Sequence, residues 1–117
     1  MTIHPLIRKY SRQWAGSSES FPRLIQAMYL AEGGTDHTAI KAVQCSIPSV
    51  STIDEAIQVF CRTAAHHMSD YMARLDADGF IEYLGAHWAP IGVANDPKGL
   101  NSHWVPNTRK AWRQATA

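Results

Sequence analysis

The stretch FPRLIQAMYLAEGG, residues 21–34, decides the fold class because it has the pattern of one amphipathic helix with a clear start and end. Pro22 suits the first helical turn, where its missing N–H would be unpaired in any case. Gly33 and Gly34 end the helix, since glycine adopts the left-handed capping conformation without a Cβ penalty. Apolar residues spaced four and three apart lie on one face: Phe21, Ile25 and Met28.

The same helical spacing recurs along the chain, and no stretch alternates strictly between apolar and polar residues. The sequence therefore predicts a single all-α domain over residues 1–117, with about five helices packed around one long central helix. Residues 35–51 are less regular: residues 39–45 fit either a short helix or an extended segment that Pro48 ends. Residues 91–102 fit a turn-rich loop. Five helices are predicted. The first follows Pro5, and the second lies within residues 21–34 and ends at the two glycines. The third, the long one, covers 53–75 after a capping box at Thr52–Glu55, the fourth runs from Asp78 to Pro90, and the fifth begins near Trp104.

Composition and charge argue against several function classes. The formal net charge is +1, and the 11 Lys and Arg residues are scattered, which is not the clustered basic face of a nucleic-acid-binding protein. No apolar run reaches the length of a membrane span. The N-terminus lacks the apolar core of a signal peptide, so we expect synthesis in the cytoplasm, with any action on the cell wall following release or delivery by other machinery.

The cysteines and histidines do not form a recognisable metal-ligand pattern. The two cysteines do not make a disulfide framework, and their pairing is left open by the sequence. The six histidines lack the spacing of a helical zinc pair, so we expect no metal and no cofactor. Cys45 with His37 or His67 is the weak basis for a cysteine-dependent peptidase or amidase, although Cys45 fits better as a buried apolar residue.

Glu32 continues the inward face of the helix at its C-terminal end, four residues after Met28. The negative end of the helix dipole and burial both favour the neutral form of its carboxyl group. A carboxylic acid that stays protonated near neutral pH is what a general acid needs in order to protonate a glycosidic oxygen. Gly33 and Gly34 remove side chains beside it and would let a bulky ligand approach. The competing interpretation is an ordinary helix end whose carboxylate faces water or nearby amides.

Two segments carry a resemblance to a known family: Ala31-Glu32-Gly33-Gly34, and the ending Tyr83-Leu-Gly-Ala-His-Trp88-Ala-Pro90 followed by Asn95-Asp96-Pro97-Lys-Gly99-Leu-Asn101-Ser-His-Trp104. They resemble the lysozyme-like superfamily of bacterial lytic transglycosylases, goose-type lysozymes and small bacterial or phage glucosaminidase-like domains. The resemblance implies a helical lysozyme-like domain that cleaves the glycan strands of peptidoglycan, with Glu32 as the catalytic residue. The chain departs from the family where Gly33 replaces the usual Ser or Thr, and it lacks the Gly-Leu-Met-Gln motif.

The mechanism that the resemblance implies uses one acid/base, as in lytic transglycosylases, where the substrate's own C6 hydroxyl attacks. Hydrolysis with inversion, in which Asp36 positions a water, is the alternative. Tyr83 could donate a hydrogen bond to the sugar or to Glu32, Trp88 and Trp104 could stack on sugars, and Asp96 is typical of a turn. We expect the substrate-binding residues to come from Gly33, Gly34, Asp36, Tyr83, Trp88, Asn95 and Asn101.

Several of these residues also have ordinary structural roles. Tyr83 and the tryptophans can fill the core, and Asn101 can cap a helix. A non-catalytic, phage-like structural or cell-wall-binding module on the same fold is therefore the alternative function. The oligomeric state is left open by the sequence.

Overall fold

A computed structural model of the protein describes residues 2–70, 77–89, 91, 96 and 98–116. These residues form six α-helices and no β-strand, which confirms the predicted all-α class. A short 3-10 helix, Leu100–His103, leads directly into the last α-helix. The helices are α1 Pro5–Ala15, α2 Ser20–Ala31, α3 Asp36–Gln44, α4 Ile53–Asp70, α5 Ala77–Trp88 and α6 Trp104–Thr116. Two predicted features lie outside the described residues: the continuation of the long helix over 71–75, and the end of the following helix at Pro90.

Helix α3 occupies the segment for which the sequence allowed either a helix or an extended chain. Thr35 caps it, because its hydroxyl accepts a hydrogen bond from the Thr38 N–H at 3.1 Å. Thr38 Oγ1 in turn accepts from the Thr35 N–H at 3.2 Å, so two otherwise unpaired amides are satisfied reciprocally. The common capping box has Glu or Gln at its second position, whereas this one pairs Thr35 with Thr38. The sequence pattern therefore contained no clear signal for the start of α3.

The core forms where α2 meets α1, α4 and α6. Helix α4 is the longest described helix and contacts α1, α2, α3 and α5, whereas α6 packs along α2. Burying each large apolar side chain contributes roughly 1.5–3 kcal/mol. No helix among the described residues combines the length and the apolar character that crossing a membrane requires. Large apolar side chains that are fully buried come from four helices: Ile7, Ile25, Met28, Ile57, Phe60, Ile81 and Leu84.

The end of α2 has the glycine turn that the sequence predicted. Gly33 has φ 125° and Gly34 has φ 73°, both in the region that side chains other than glycine rarely adopt. The Gly34 N–H donates to the Tyr29 carbonyl at 3.0 Å, and the Gly33 N–H donates to the Leu30 carbonyl at 3.0 Å. These bonds satisfy carbonyls that a helix end leaves unpaired and turn the chain sharply into α3.

Replacing Gly33 by alanine is expected to lower the free energy of unfolding by more than about 2 kcal/mol, because it combines backbone strain with a steric clash. A Cβ at this position would lie 2.8 Å from Thr38. Gly16→Ala is the matched control, since Gly16 also has positive φ, at 59°, but a Cβ there would meet nothing within 4 Å. The control should lose less than Gly33→Ala, about 1–3 kcal/mol from backbone strain alone, because φ 59° and ψ −127° are unfavourable for any residue with a Cβ. Urea denaturation measures both, and equal losses would contradict the packing of Thr38 against Gly33.

Candidate functional site

Glu32 is the C-cap residue of α2, and its side chain is half-buried and directed toward the ends of two other helices. Its Oε1 atom accepts a hydrogen bond from the indole N–H of Trp88 at 3.1 Å and another from that of Trp104 at 2.9 Å. Trp88 is the last residue of α5, and Trp104 is the first residue of α6. One carboxylate oxygen therefore joins the ends of three helices, in agreement with the predicted inward direction of Glu32.

The two indole rings are held by aromatic and helix packing. Trp104 is buried, with 6% of its surface exposed, and Trp88 is half-buried. Phe60 of α4 meets the Trp88 ring edge to face, with centroids 5.0 Å apart and planes at 81°. The two indole centroids lie 6.5 Å apart. Trp88 was expected to stack on sugar rings, and part of its ring surface is already covered by Phe60.

Gly85 is a site-forming residue that was not among the sequence-predicted ones. A Cβ at this position would lie 2.5 Å from Val105 Cγ2 and 3.1 Å from Trp104 Cε3. The absence of a side chain therefore lets the start of α6 lie directly against α5, which places the Trp104 indole beside Glu32. The available signal was an isolated glycine inside a helical pattern, which costs about 1 kcal/mol relative to alanine and often marks close packing.

The two glycines at the end of α2 have different neighbours. A Cβ at Gly33 would lie 2.8 Å from Thr38 of α3, so α3 occupies the direction that a side chain would take. At Gly34 a Cβ would lie 3.4 Å from Leu30 Cδ2, which is an ordinary contact distance. Both glycines are needed for the backbone conformation of the turn. Gly33 itself is exposed, so the expected approach of a ligand beside Glu32 stays a prediction.

Asp36 belongs to a separate polar network at the start of α3. Its Oδ1 accepts the Tyr29 hydroxyl at 2.9 Å and lies 3.0 Å from His4 Nε2. His4 Nδ1 accepts the Leu6 N–H at 3.1 Å, so a neutral His4 carries its proton on Nε2 and donates it to Asp36. Asp36 thereby ties the start of α1 to α2 and α3. Its predicted role with an attacking water stays a prediction.

The remaining predicted substrate-binding residues lie around α5 and the 3-10 helix. Tyr83 is half-buried among rings, with centroids 4.8 Å from His87 and 5.9 Å from His67. Asn101 lies in the 3-10 helix and donates its backbone N–H to Asp96 Oδ2 at 2.8 Å. Asp96 also accepts the Leu100 N–H at 3.0 Å, so it has the turn-forming role that was predicted. Asn95 lies outside the described residues.

Both cysteines are free thiols in very different surroundings. Cys61 is fully buried, and burial raises the pKa of its thiol to about 12. Cys45 is exposed, which corrects the expectation of a buried residue, and its thiol lies 3.5 Å from the Lys41 carbonyl. Its position at the C-cap of α3 leaves the side chain on the outer face of that short helix. Within the described ranges, no group of three or more metal-ligating side chains could hold a metal ion.

A cavity of about 180 Å³ lies between the end of α1 and the start of α2, away from Glu32. Arg8 crosses its edge and donates to both carboxylate oxygens of Glu19, at 3.1 and 3.2 Å. The cavity therefore carries paired charges near solvent and does not extend the Glu32 site. Its lining consists of Arg8, Ser11, Arg12, Gly16, Ser17, Ser18, Glu19 and Pro22.

The chain matches no protein-family model, no curated protein and no solved structure. The resemblance to the lysozyme-like superfamily therefore stays a prediction that depends on the Glu32 segment and the Tyr83–Trp104 ending.

Tyr29→Phe should reduce the loss of stability that we expect for the wild type between pH 10 and 12. Burial, together with the hydrogen bond to Asp36, raises the pKa of Tyr29 from 10.0 to about 12. In this window the unfolded phenol has lost its proton while the folded one keeps it, so the free energy of unfolding falls as pH rises. Urea unfolding across this range measures the slope for each variant. An unchanged slope in Tyr29→Phe would contradict the assignment, and Asp36→Asn should lower the slope only in part.

Gly85→Ala is expected to destabilise the protein by about 1–3 kcal/mol, because overpacking against α6 outweighs the better helix propensity of alanine. The Val105→Ala background removes the methyl group that lies 2.5 Å from the new Cβ, so the same substitution should cost much less there. Thermal unfolding of the four proteins in this double-mutant cycle measures the coupling. Additive effects would show that Gly85 does not set the distance between α5 and α6.

Proposed function

We propose that the protein cleaves the glycan strands of peptidoglycan, with Glu32 as a single general acid/base. The observation that supports this most directly is the placement of Glu32: a half-buried carboxylate at a helix end, with one oxygen held by two indole N–H groups. Donors oriented in advance at a carboxylate keep it in one geometry without reorganisation during the reaction. The residues that hold it come from the segment that also carries the family resemblance.

The route with a single acid/base is supported because Asp36, the carboxylate considered as a second catalytic group, already has hydrogen-bond partners. Glu32 first gives its proton to the glycosidic oxygen as the C1–O bond breaks. The same carboxylate then takes the proton of the substrate's C6 hydroxyl while that oxygen bonds to C1, giving a 1,6-anhydro sugar end. A retaining hydrolase would need a second carboxyl group roughly 5–5.5 Å away. Asp36 is the nearest carboxylate in the sequence, and it is bound by Tyr29 and His4.

Hydrolysis with inversion remains the second route, since it tolerates a wider separation of about 6.5–9.5 Å between the two carboxyl groups. In that case Asp36 would activate a water molecule. The partner in either route is the peptidoglycan glycan strand, which the protein would reach after release or delivery to the cell wall. Trp88, Tyr83 and Asn101 are the described side chains we propose for contacts with the sugars.

A non-catalytic structural or cell-wall-binding module is the second candidate. Two observations favour it. The hydrogen bonds from both indoles already give Glu32 a structural function as a link between α2, α5 and α6. A Cβ at Gly33 would lie 2.8 Å from Thr38, so α3 packs closely against the residue that follows Glu32.

Purified cell-wall sacculi should be solubilised by the wild type and by Cys45→Ala, whereas Glu32→Gln should be slower by about 10²–10⁴-fold. Glutamine keeps the size of the side chain and an acceptor oxygen for both indoles but cannot donate the acidic proton. Mass spectrometry of the products distinguishes anhydro ends from reducing ends, which differ by one water. Binding without cleavage by the wild type would favour the second candidate, and loss in Cys45→Ala alone would indicate a thiol-dependent enzyme.

A further inference from the structure

We propose that Trp88 and Trp104 are positioning residues that confine the exchangeable proton of Glu32 to its Oε2 atom. Both indole N–H groups donate to the same oxygen, Oε1, at 3.1 and 2.9 Å. Both distances lie within the normal range for N–H···O hydrogen bonds. The catalytic meaning of this arrangement rests on the proposed function, whereas the hydrogen bonding can be tested without it.

The chemistry of indole determines which oxygen can carry the proton. The indole nitrogen is a donor only and offers no acceptor. A hydrogen atom on Oε1 would compete for the space and lone pairs that the two N–H groups use, and the bonds to Trp88 and Trp104 would weaken. A hydrogen atom on Oε2 leaves both bonds in place. Oε1 therefore acts as the acceptor in the ionised and the neutral form of Glu32.

This arrangement suits an acid that must later act as a base. Because Oε1 keeps the same two donors in both protonation states, the side chain of Glu32 needs no rotation between giving up a proton and taking one back. The proton leaves Oε2 for the glycosidic oxygen and returns to Oε2 from the attacking hydroxyl. Preorganised donors of this kind contribute to catalysis because no reorientation is needed at the moment of reaction.

The indole rings of Trp88 and Trp104 are held in place by packing, as fixed donors to Glu32 Oε1 must be. Trp104 is 6% exposed and lies against Gly85, where even a methyl group would clash. Trp88 packs edge to face with Phe60. Tryptophan-to-phenylalanine substitutions keep an aromatic ring in each place and remove the N–H donor. Trp14→Phe is the matched control, since Trp14 lies on α1 with 48% of its surface exposed.

The first experiment follows the indole N–H signals by ¹H–¹⁵N NMR as pH is varied, with assignments from the single Trp→Phe variants. The signals of Trp88 and Trp104 should move together with one midpoint, and this movement should be absent in Glu32→Gln. The Trp14 signal should not follow that midpoint. Both signals should keep hydrogen-bonded chemical shifts at the low-pH end of the titration. Indole signals of Trp88 and Trp104 that ignore Glu32, or that move at low pH to the shift of a free indole N–H, would overturn the proposal.

The second experiment measures the cleavage of sacculi by folded Trp104→Phe, checked by circular dichroism. Loss of one hydrogen bond to a charged group should lower kcat by about tenfold or more, with KM unchanged, while Trp14→Phe keeps wild-type kinetics. A wild-type kcat in Trp104→Phe would overturn the positioning role. An inactive wild type whose two indole signals follow Glu32 and stay hydrogen-bonded at low pH would overturn the proposed function and support the assignment of the proton to Oε2.

Discussion

The hydrogen bonds from Trp88 and Trp104 to Glu32 are the interaction on which the arrangement of the candidate site depends. They link residues 56 and 72 positions apart along the chain and bring the ends of α2, α5 and α6 to one point. Burying part of a carboxylate has a cost in solvation, and the two donors offset that cost. Displacing α5 or α6 would remove one of the two donors to Glu32, so the packing of these helices and the geometry of the site are coupled.

Two glycines allow the helices around Glu32 to pack as they do: Gly33 in the turn after α2, and Gly85 where α5 meets α6. Gly33 adopts a positive φ and leaves space that Thr38 fills, so α3 can fold back directly after α2. Gly85 leaves space for Val105 and Trp104, so α6 can start against α5. Glu32 thus lies between one turn that requires glycine for its conformation and one helix contact that requires glycine for its closeness. The polar network of Asp36, Tyr29 and His4 then ties α1 to the start of α3 on the other side of the turn.

The parts of the fold that were predictable depend on interactions between near neighbours. The periodicity of residues 21–34 indicated α2, its glycine end and the inward direction of Glu32, because each depends on residues within about a turn of one another. The turn role of Asp96 was predictable for the same reason. Helix α3 was ambiguous because it is short, nine residues, and its cap pairs two threonines. The exposure of Cys45 was also missed, since a short helix with mixed residues does not indicate which face is covered.

The sequence by itself determined the all-α class, the end of α2 and the inward direction of Glu32, since helical periodicity indicates which face of a helix is buried. Only the tertiary structure decided which groups Glu32 meets, because that depends on how α5 and α6 pack against α2. It also decided that Thr38 packs against Gly33 and that Gly85 leaves room for Trp104. These contacts join different helices, most of them far apart in the chain, and no local pattern encodes which helix lies opposite another.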